Sequence, residues 1–327
     1  MRTYIDAVKF FAVTIALVAG SPVSTAWGQK YPHKPVRIIV TTTTGSSGDL
    51  MARYLVESLA PSTGQRFVVE NRVGAGGNIG AAAVARAAPD GYTLLLAGLG
   101  TSVLSQYLYT ALEFDPEKDF DPVNLIAKQA FIFAATASLP ANSLQELIAL
   151  AREKPKAVDI ALTSTTSRLI FEVFAKTSGA PLFPVAYATL GPALNDVVAG
   201  RVSVILETIV ALRPQMASGK LKPLAVTTQK ASSLFPNLRS VAEQGVPAFG
   251  ELVGWNAILA PKGTPRDIIQ FLNLEVNKAL QQPETRQRLA DLGAEVASGS
   301  ADEFAAFIVA ERAKWAAIVK ASGIKPE

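Results

Sequence analysis

Short apolar runs alternate with helical stretches along the whole chain. The runs at 36–40, 67–69, 93–97, 131–135, 159–162, 202–206, 223–226 and 255–260 read as strands, being short, β-branched and bounded by turn residues. Between them lie helical patterns. Met51, Leu55 and Leu59 recur every four residues with Leu50 and Tyr54 beside them, which predicts one buried stripe on a helix starting at Leu50. Ser143 and Glu146 have capping-box spacing ahead of a helix over 144–152. Thr264, Pro265 and Asp267 read as a cap, a first-turn proline and a first-turn acid before a helix over 268–280. Ser300 and Glu303 cap a last helix whose face carries Phe304, Phe307, Ile308, Trp315 and Ile318. This alternation predicts an α/β fold with largely parallel sheets. Turn-forming residues cluster at 116–122, 154–156, 191–192, 236–247 and 261–265, and no internal repeat is present. The segments 123–135 and 252–260 read as crossings between two lobes. Lobe 1 then comprises 29–128 and 252–327, and lobe 2 comprises 129–251. A cleft between hinged lobes is a place where ligands bind.

Two loops stand out within this pattern. The first strand empties into Thr41, Thr42, Thr43, Thr44, Gly45, Ser46, Ser47, Gly48 and Asp49, just before the first helix. The strand at 159–162 empties into Thr163, Ser164, Thr165, Thr166 and Ser167, with a helix expected from near Arg168. A strand running through small hydroxyl residues into a helix N-terminus makes a small-anion site, because first-turn N–H groups point into the loop and the helix dipole favours negative charge there. Two such units in opposite lobes would face each other across one cleft. Asp49 either binds an amine or a water, or stabilises its own helix through the dipole, and the residues alone leave both open. Arg168 either supplies charge to an acidic ligand or forms a surface ion pair. Glu207 follows the strand at 202–206, at the carboxyl edge where ligands of open sheets bind, unless it is a solvated loop carboxylate.

Composition narrows the chemistry. Residues 1–28 read as a secretory signal, with Arg2 and Lys9 at the start, an apolar run over 10–19 and small residues at Ser24, Ala26 and Gly28. That run is about half of the ~20 residues needed to cross a bilayer. The chain has no cysteine, so disulfides, thiolate nucleophiles and lipidation are excluded. A mature chain of about 300 residues buries enough surface to be stable without such staples. The formal charge of +4 falls to +3 without the signal, which takes two cations and one acid with it. No basic stripe with interleaved aromatics accompanies that charge, so nucleic acid is not an expected partner. His33 is the sole histidine and reads as an exposed residue near the chain start, which leaves no Ser–His–acid triad and no histidine zinc site. No acidic calcium loop is present. The stretch Gly74-Ala75-Gly76-Gly77-Asn78-Ile79-Gly80 departs from G-x-G-x-x-G, because Ile79 occupies the third position. It reads as a tight turn that lets a helix over 78–88 approach the sheet. No catalytic residue, metal or cofactor is expected.

These residues resemble a known family. Tyr31-Pro32-His33-Lys34-Pro35, Val69-Glu70-Asn71-Arg72 with the glycine stretch, Ala88-Pro89-Asp90-Gly91-Tyr92-Thr93, Asp115-Pro116, Ser218-Gly219-Lys220-Leu221, Leu259-Ala260-Pro261-Lys262-Gly263-Thr264-Pro265 and Leu292-Gly293-Ala294 are similar to the Bug-type receptors. Those are the periplasmic substrate-binding proteins of tripartite tricarboxylate transporters. The resemblance implies a two-lobed, type II periplasmic-binding-protein-like fold with mostly parallel sheets joined by two crossover strands. It implies a small carboxylate ligand delivered to membrane transporter subunits by a monomer in the periplasm of a Gram-negative bacterium. It places ligand contacts on Thr42, Thr43, Thr44, Gly45, Ser46, Ser47 and Asp49 in the first loop. The second loop contributes Thr163, Ser164, Thr165, Thr166, Ser167 and Arg168. Gly98, Thr101 and Ser102 match a further cleft loop, Thr189 another within 187–192, and Glu207 stands where the family often has Asp. The threonines of the first loop replace a Pro- and Gly-rich family segment, and the second loop lacks the family's glycine and Thr-His ending, so a tricarboxylate ligand does not follow. The rival readings are an exported hydrolase or lyase using Ser46 or Ser47 with Asp49 or Glu207, and a ligand sensor feeding a membrane kinase. The first of these lacks a histidine base and a G-x-S-x-G elbow.

Overall fold

The structure is a computed structural model and describes residues 31–155, 157–229 and 236–322. The expected signal segment, 1–28, lies outside the described residues. The stretch from Lys34 onward forms one compact unit.

The first strand, β1 (Val36–Val40), is apolar and buried at four of its five positions, so it sits inside a sheet. Helix α1 (Ser47–Thr63) buries Met51, Leu55 and Leu59, the stripe its spacing predicts. It starts three residues before Leu50 because the Ser46 hydroxyl accepts from the Asp49 N–H and acts as the N-cap. Then come β2 (Phe67–Asn71), α2 (Asn78–Ala85) and β3 (Thr93–Gly98). A π-helical turn at Gly100–Leu104 runs into the short α3 (Ser105–Leu108). Strand β4 (Phe120–Thr136) is followed by α4 (Leu144–Glu153), β5 (Asp159–Leu162), α5 (Thr165–Ser178), β6 (Phe183–Ala186) and α6 (Leu190–Val198). The chain continues through β7 (Val204–Thr208), α7 (Ile209–Ala217), β8 (Leu221–Val226) and β9 (Val253–Pro261). It closes with α8 (Arg266–Gln281), α9 (Pro283–Asp291), β10 (Ala294–Val296) and α10 (Ala301–Ser322).

The sheet order is β2-β1-β3-β9-β4-β7-β5-β6, and β4 is its seam. Residues 120–130 of β4 pair with β9, and 127–129 also pair with β10. Residues 131–136 pair instead with β7 and β8. One strand therefore belongs to two half-sheets. The outer ladders, β2-β1-β3 and β6-β5-β7, are parallel, while β4 and β9 run antiparallel to their neighbours. Phe133 of β4 meets Phe174 of α5 with ring centroids 4.8 Å apart. Helix α10 packs on β4, α5 and the 100–104 turn. Its buried Glu311 accepts from the indoles of Trp255 and Trp315 at 3.1 and 3.2 Å, which ties β9 to the helix.

Several boundaries differ from the sequence reading. Strands β6 and β10 are additional. Strand β7 lies two residues later than 202–206, so Glu207 is a strand residue opposite Ile132 rather than a loop residue. Helix α2 stops at Ala85 rather than 88. Helix α8 begins at Arg266 with Pro265 in the cap position, and the Thr264 hydroxyl donates to the Pro261 carbonyl instead of capping. At α4, Ser143 caps as expected, but the Glu146 carboxylate accepts from the Asn142 N–H rather than that of Ser143. The Ser300–Glu303 box is reciprocal, as expected.

Candidate functional site

Parallel strands send their carboxyl ends to one edge, so the loops after β1, β2 and β3 gather on the first half-sheet and those after β5, β6 and β7 on the second. In the first group, Asp49 organises the loop. Its carboxylate is 1% exposed and accepts from Gly45 N–H at 2.9 Å, Asn71 Nδ2 at 2.9 Å and both Nε and Nη2 of Arg53 at 3.0 and 2.9 Å. Burial works to raise this carboxyl, but the bonds from Arg53, Gly45 and Asn71 outweigh it and hold Asp49 below its usual range. Its acceptor capacity is used up, so Asp49 shapes the loop rather than offering an oxygen to a ligand. Ser46 donates to the Thr42 hydroxyl at 2.7 Å, and Thr44 donates to Asn71 Oδ1 at 3.3 Å. Thr42, Thr43, Thr44 and Gly45 are exposed, and Ser47 is half-buried in the first helical turn.

In the second group the hydroxyls divide into two kinds. Ser164 and Ser167 form a reciprocal cap: the Ser164 hydroxyl accepts from Ser167 N–H at 3.1 Å, while the Ser167 hydroxyl accepts from the Thr163 and Ser164 N–H groups. Helix α5 therefore begins at Thr165, three residues before the expected Arg168. Thr165 and Thr166 stand at its first two positions, where N–H groups lie outside the intrahelical ladder. Arg168 is exposed on that turn. Thr163 donates its hydroxyl to Glu207 Oε2, and Thr208 N–H donates to Glu207 Oε1 at 2.7 Å. Withdrawal from water pushes the Glu207 carboxyl up, against the lowering effect of these donors. The neighbouring loop is anchored by the Tyr187 hydroxyl donating to Asp196, which pushes Tyr187 up to about 12. Thr189, in the cap position of α6, is exposed and makes no side-chain cap bond.

Glycines bring the two groups together. A Cβ on Gly76 would stand 2.5 Å from the Tyr109 hydroxyl oxygen and 3.1 Å from that of Thr165. One on Gly100 would stand 3.3 Å from the Thr166 hydroxyl oxygen. The start of α5 thus rests directly against backbone of the first half-sheet's loops. On the near side, Thr101 donates to the Gly76 carbonyl at 3.3 Å, and a Cβ on Gly77 would stand 2.6 Å from Thr101 Oγ1 and 2.9 Å from Thr41 Cβ. Asn256 Oδ1 would be 3.6 Å from a Cβ on Gly48 and 3.4 Å from one on Gly98. Ser102 is buried beside this turn, and its hydroxyl has no hydrogen-bond partner among the described residues. Thr101, Thr165 and Thr166 are thus joined through Gly76 and Gly100, while Thr42 and Gly98 are joined through Gly48 and Asn256. Thr163 and Glu207 follow at the next strand ends.

The sequence reading missed Gly76, Gly77, Tyr109 and Asn256. The glycine stretch does allow close helix approach, since a Cβ on Gly80 would stand 2.8 Å from the Arg72 carbonyl. Gly76 and Gly77 have a second role, which their mismatch to the dinucleotide spacing hid. Tyr109 and Asn256 carry no sequence signal of their own.

The arrangement offers amide and hydroxyl donors and no activated nucleophile. The Ser46 hydroxyl gives its proton to Thr42, and the carboxylate of Asp49, whose N–H it caps, is saturated. Among the described residues there is no group of three or more His, Cys, Asp or Glu able to hold a metal ion, and no helix long and apolar enough to cross a membrane.

The family described as "Tripartite tricarboxylate transporter family receptor" matches residues 51–324. The chain is 35% identical over 333 residues to protein BugT of Bordetella pertussis, covering 99% of both chains. Among solved structures it is similar to Rpa4515 of R. palustris with adipate, with a TM-score of 0.87 and 34% identity over 91% of this chain and 100% of that one. It is also similar to MatC of Rhodopseudomonas palustris with bound malate, with a TM-score of 0.82 and 30% identity over 88% of this chain and 100% of that one. The family match and the whole-chain similarity agree: the chain belongs to the tripartite tricarboxylate transporter receptor family and is of the Bug type.

Proposed function

We propose that the protein is a periplasmic solute receptor that binds a small organic acid between two lobes and passes it, unchanged, to membrane transporter subunits. The lobes are 29–128 with 252–327 and 129–251, divided near the middle of β4. The observation that carries this reading is the contact of Thr165 and Thr166, at the start of α5, with Gly76 and Gly100 from the other half-sheet. It brings the helix N-terminal donors of α5 against the loops that follow β2 and β3, and in this reading the hydroxyl loop 41–46 supplies the remaining donors. Each hydrogen bond to an ionised carboxylate contributes roughly 1.5–3 kcal/mol, so three or four suffice for a tight complex without a cation. The adipate and malate complexes of similar proteins support the ligand class. An enzyme on this scaffold would need a base, and neither Ser46 nor Ser47 has one.

A thermal-shift panel of dicarboxylates, hydroxy acids, amino acids and aromatic acids tests this. A ligand at a hundred times its Kd stabilises by about 2.7 kcal/mol, which moves the melt by several degrees. A shift with one chemical series and no turnover of ester or amide substrates is expected. A flat panel contradicts the carboxylate reading.

A further inference from the structure

Two carboxylates border the hydroxyl loops, and the fold treats them oppositely. Asp49 is matched by Arg53. Among the described residues Glu207 has no cationic partner. Its oxygens take the Thr163 hydroxyl from β5 and the Thr208 N–H from its own strand. Across the ladders, Glu207 faces Ile132 of β4, and its neighbour Leu206 faces Leu162 of β5. Of the charged residues on the surrounding elements, Asp121 of β4 pairs with Lys262 and Lys128 of β4 lies over the Phe307 ring. Asp159 of β5 accepts from Ser203 N–H, Lys176 of α5 donates to the Ala321 carbonyl, and Asp196 of α6 holds Tyr187 and Arg201. Arg213 of α7 donates to the Asp291 carbonyl, and Lys222 of β8 to Leu139 and Asn142. Arg168 and Glu172 of α5 are exposed. A ligand carboxylate held at the start of α5 would stand two residues along the chain from Thr163, whose hydroxyl bonds Glu207, a carboxyl that no cation pairs with among the described residues. Two carboxylates sharing such a site cannot both stay ionised without cost.

Resting on the carboxylate reading above, we propose that Glu207 meets the ligand as a neutral carboxylic acid and donates its own O–H to a ligand oxygen, so that binding takes up one proton from solution. The proton comes from water and returns to it on release, and no covalent bond changes. Burial already favours the protonated form, in the same direction. The ligand end that reaches Glu207 is then an acceptor, a carboxylate or hydroxyl oxygen, and not an ammonium group.

Isothermal titration calorimetry with adipate and, separately, malate tests this from pH 6 to pH 8.5, in two buffers of different ionisation enthalpy. Both acids are almost fully ionised from about pH 7 upward, and the proton count is read there. Uptake of up to about one proton is expected at the alkaline end, with affinity falling by as much as about tenfold per pH unit. Glu207→Gln keeps a donor that cannot ionise, so its affinity should stay flat with pH while that of the unaltered protein falls toward alkaline pH. Binding with no proton uptake, or binding that strengthens as pH rises, overturns the proposal while leaving the receptor reading intact. No heat with either acid at any pH, together with a flat panel, removes both. Should Glu207→Gln fail to fold by circular dichroism, the proton count on the unaltered protein still decides.

Discussion

Asp49 and Glu207 show how far a side chain's neighbours set its role. Both are acids at strand–helix junctions, and both were candidate ligand residues in the sequence. Asp49 became a clamp because Arg53 lies one turn on and Asn71 ends the adjacent strand. Its carboxyl is held low in the folded state, so its contribution to stability is present above the unfolded value of about 3.9 and is lost as pH falls through the lower folded value. Asp49→Asn should therefore cost about 1–3 kcal/mol at pH 7 in urea unfolding, with the two curves converging in strong acid. Glu207 has the opposite sign. A raised carboxyl favours folding below its unfolded value of about 4.3, and that contribution is lost as pH rises through the folded value. Unliganded Glu207→Gln should melt above the unaltered protein at pH 8 and with it near pH 4. A lower melt at pH 8 would show that the charged form is the favoured one. Sequence alone could not rank these residues, because the deciding partners, Asn71 and Thr163, lie 22 and 44 positions away.

At the scale of elements, the helix caps tie local sequence to the site. Ser164 caps α5 where the donors gather, whereas Ser143 caps α4, whose first turn is held by Asn142 and Gln244. Replacing either serine by alanine should cost roughly 0.5–2 kcal/mol of stability. Only Ser164→Ala should also weaken acid binding, and equal affinity losses in both variants would detach α5 from the site. Legibility followed signal strength. Strands such as β1 and β5 are apolar runs between turns and were plain. The exposed edge strand β6, which contains Pro184, and the three-residue β10 have too little pattern to read. The start of α5 was misplaced because its box closes with Ser167, not with the Glu or Gln that marks such a box in sequence. The long β4 shows an unbroken apolar run only over 131–135, since Asp121, Pro122, Asn124, Lys128 and Gln129 interrupt the pattern before it.

For the molecule as a whole, the two half-sheets that share β4 meet at a glycine-lined contact. Gly100 has an ordinary backbone conformation, so a side chain there is limited by space alone: its Cβ would stand 3.3 Å from the Thr166 hydroxyl oxygen. Gly100→Val should hold the two loop groups apart, weakening acid binding about tenfold or more, equivalent to ~1.4 kcal/mol, while the unliganded melt changes little. A variant with unaltered affinity would mean that this contact is not needed for binding. The most direct test of the central claim is a crystal structure of the protein with the acid that gives the largest thermal shift. The ligand carboxylate is expected within hydrogen-bond distance of the Thr165 and Thr166 N–H groups, enclosed by Gly76 and Gly100. An acid bound elsewhere, with those amides open to bulk water, contradicts it.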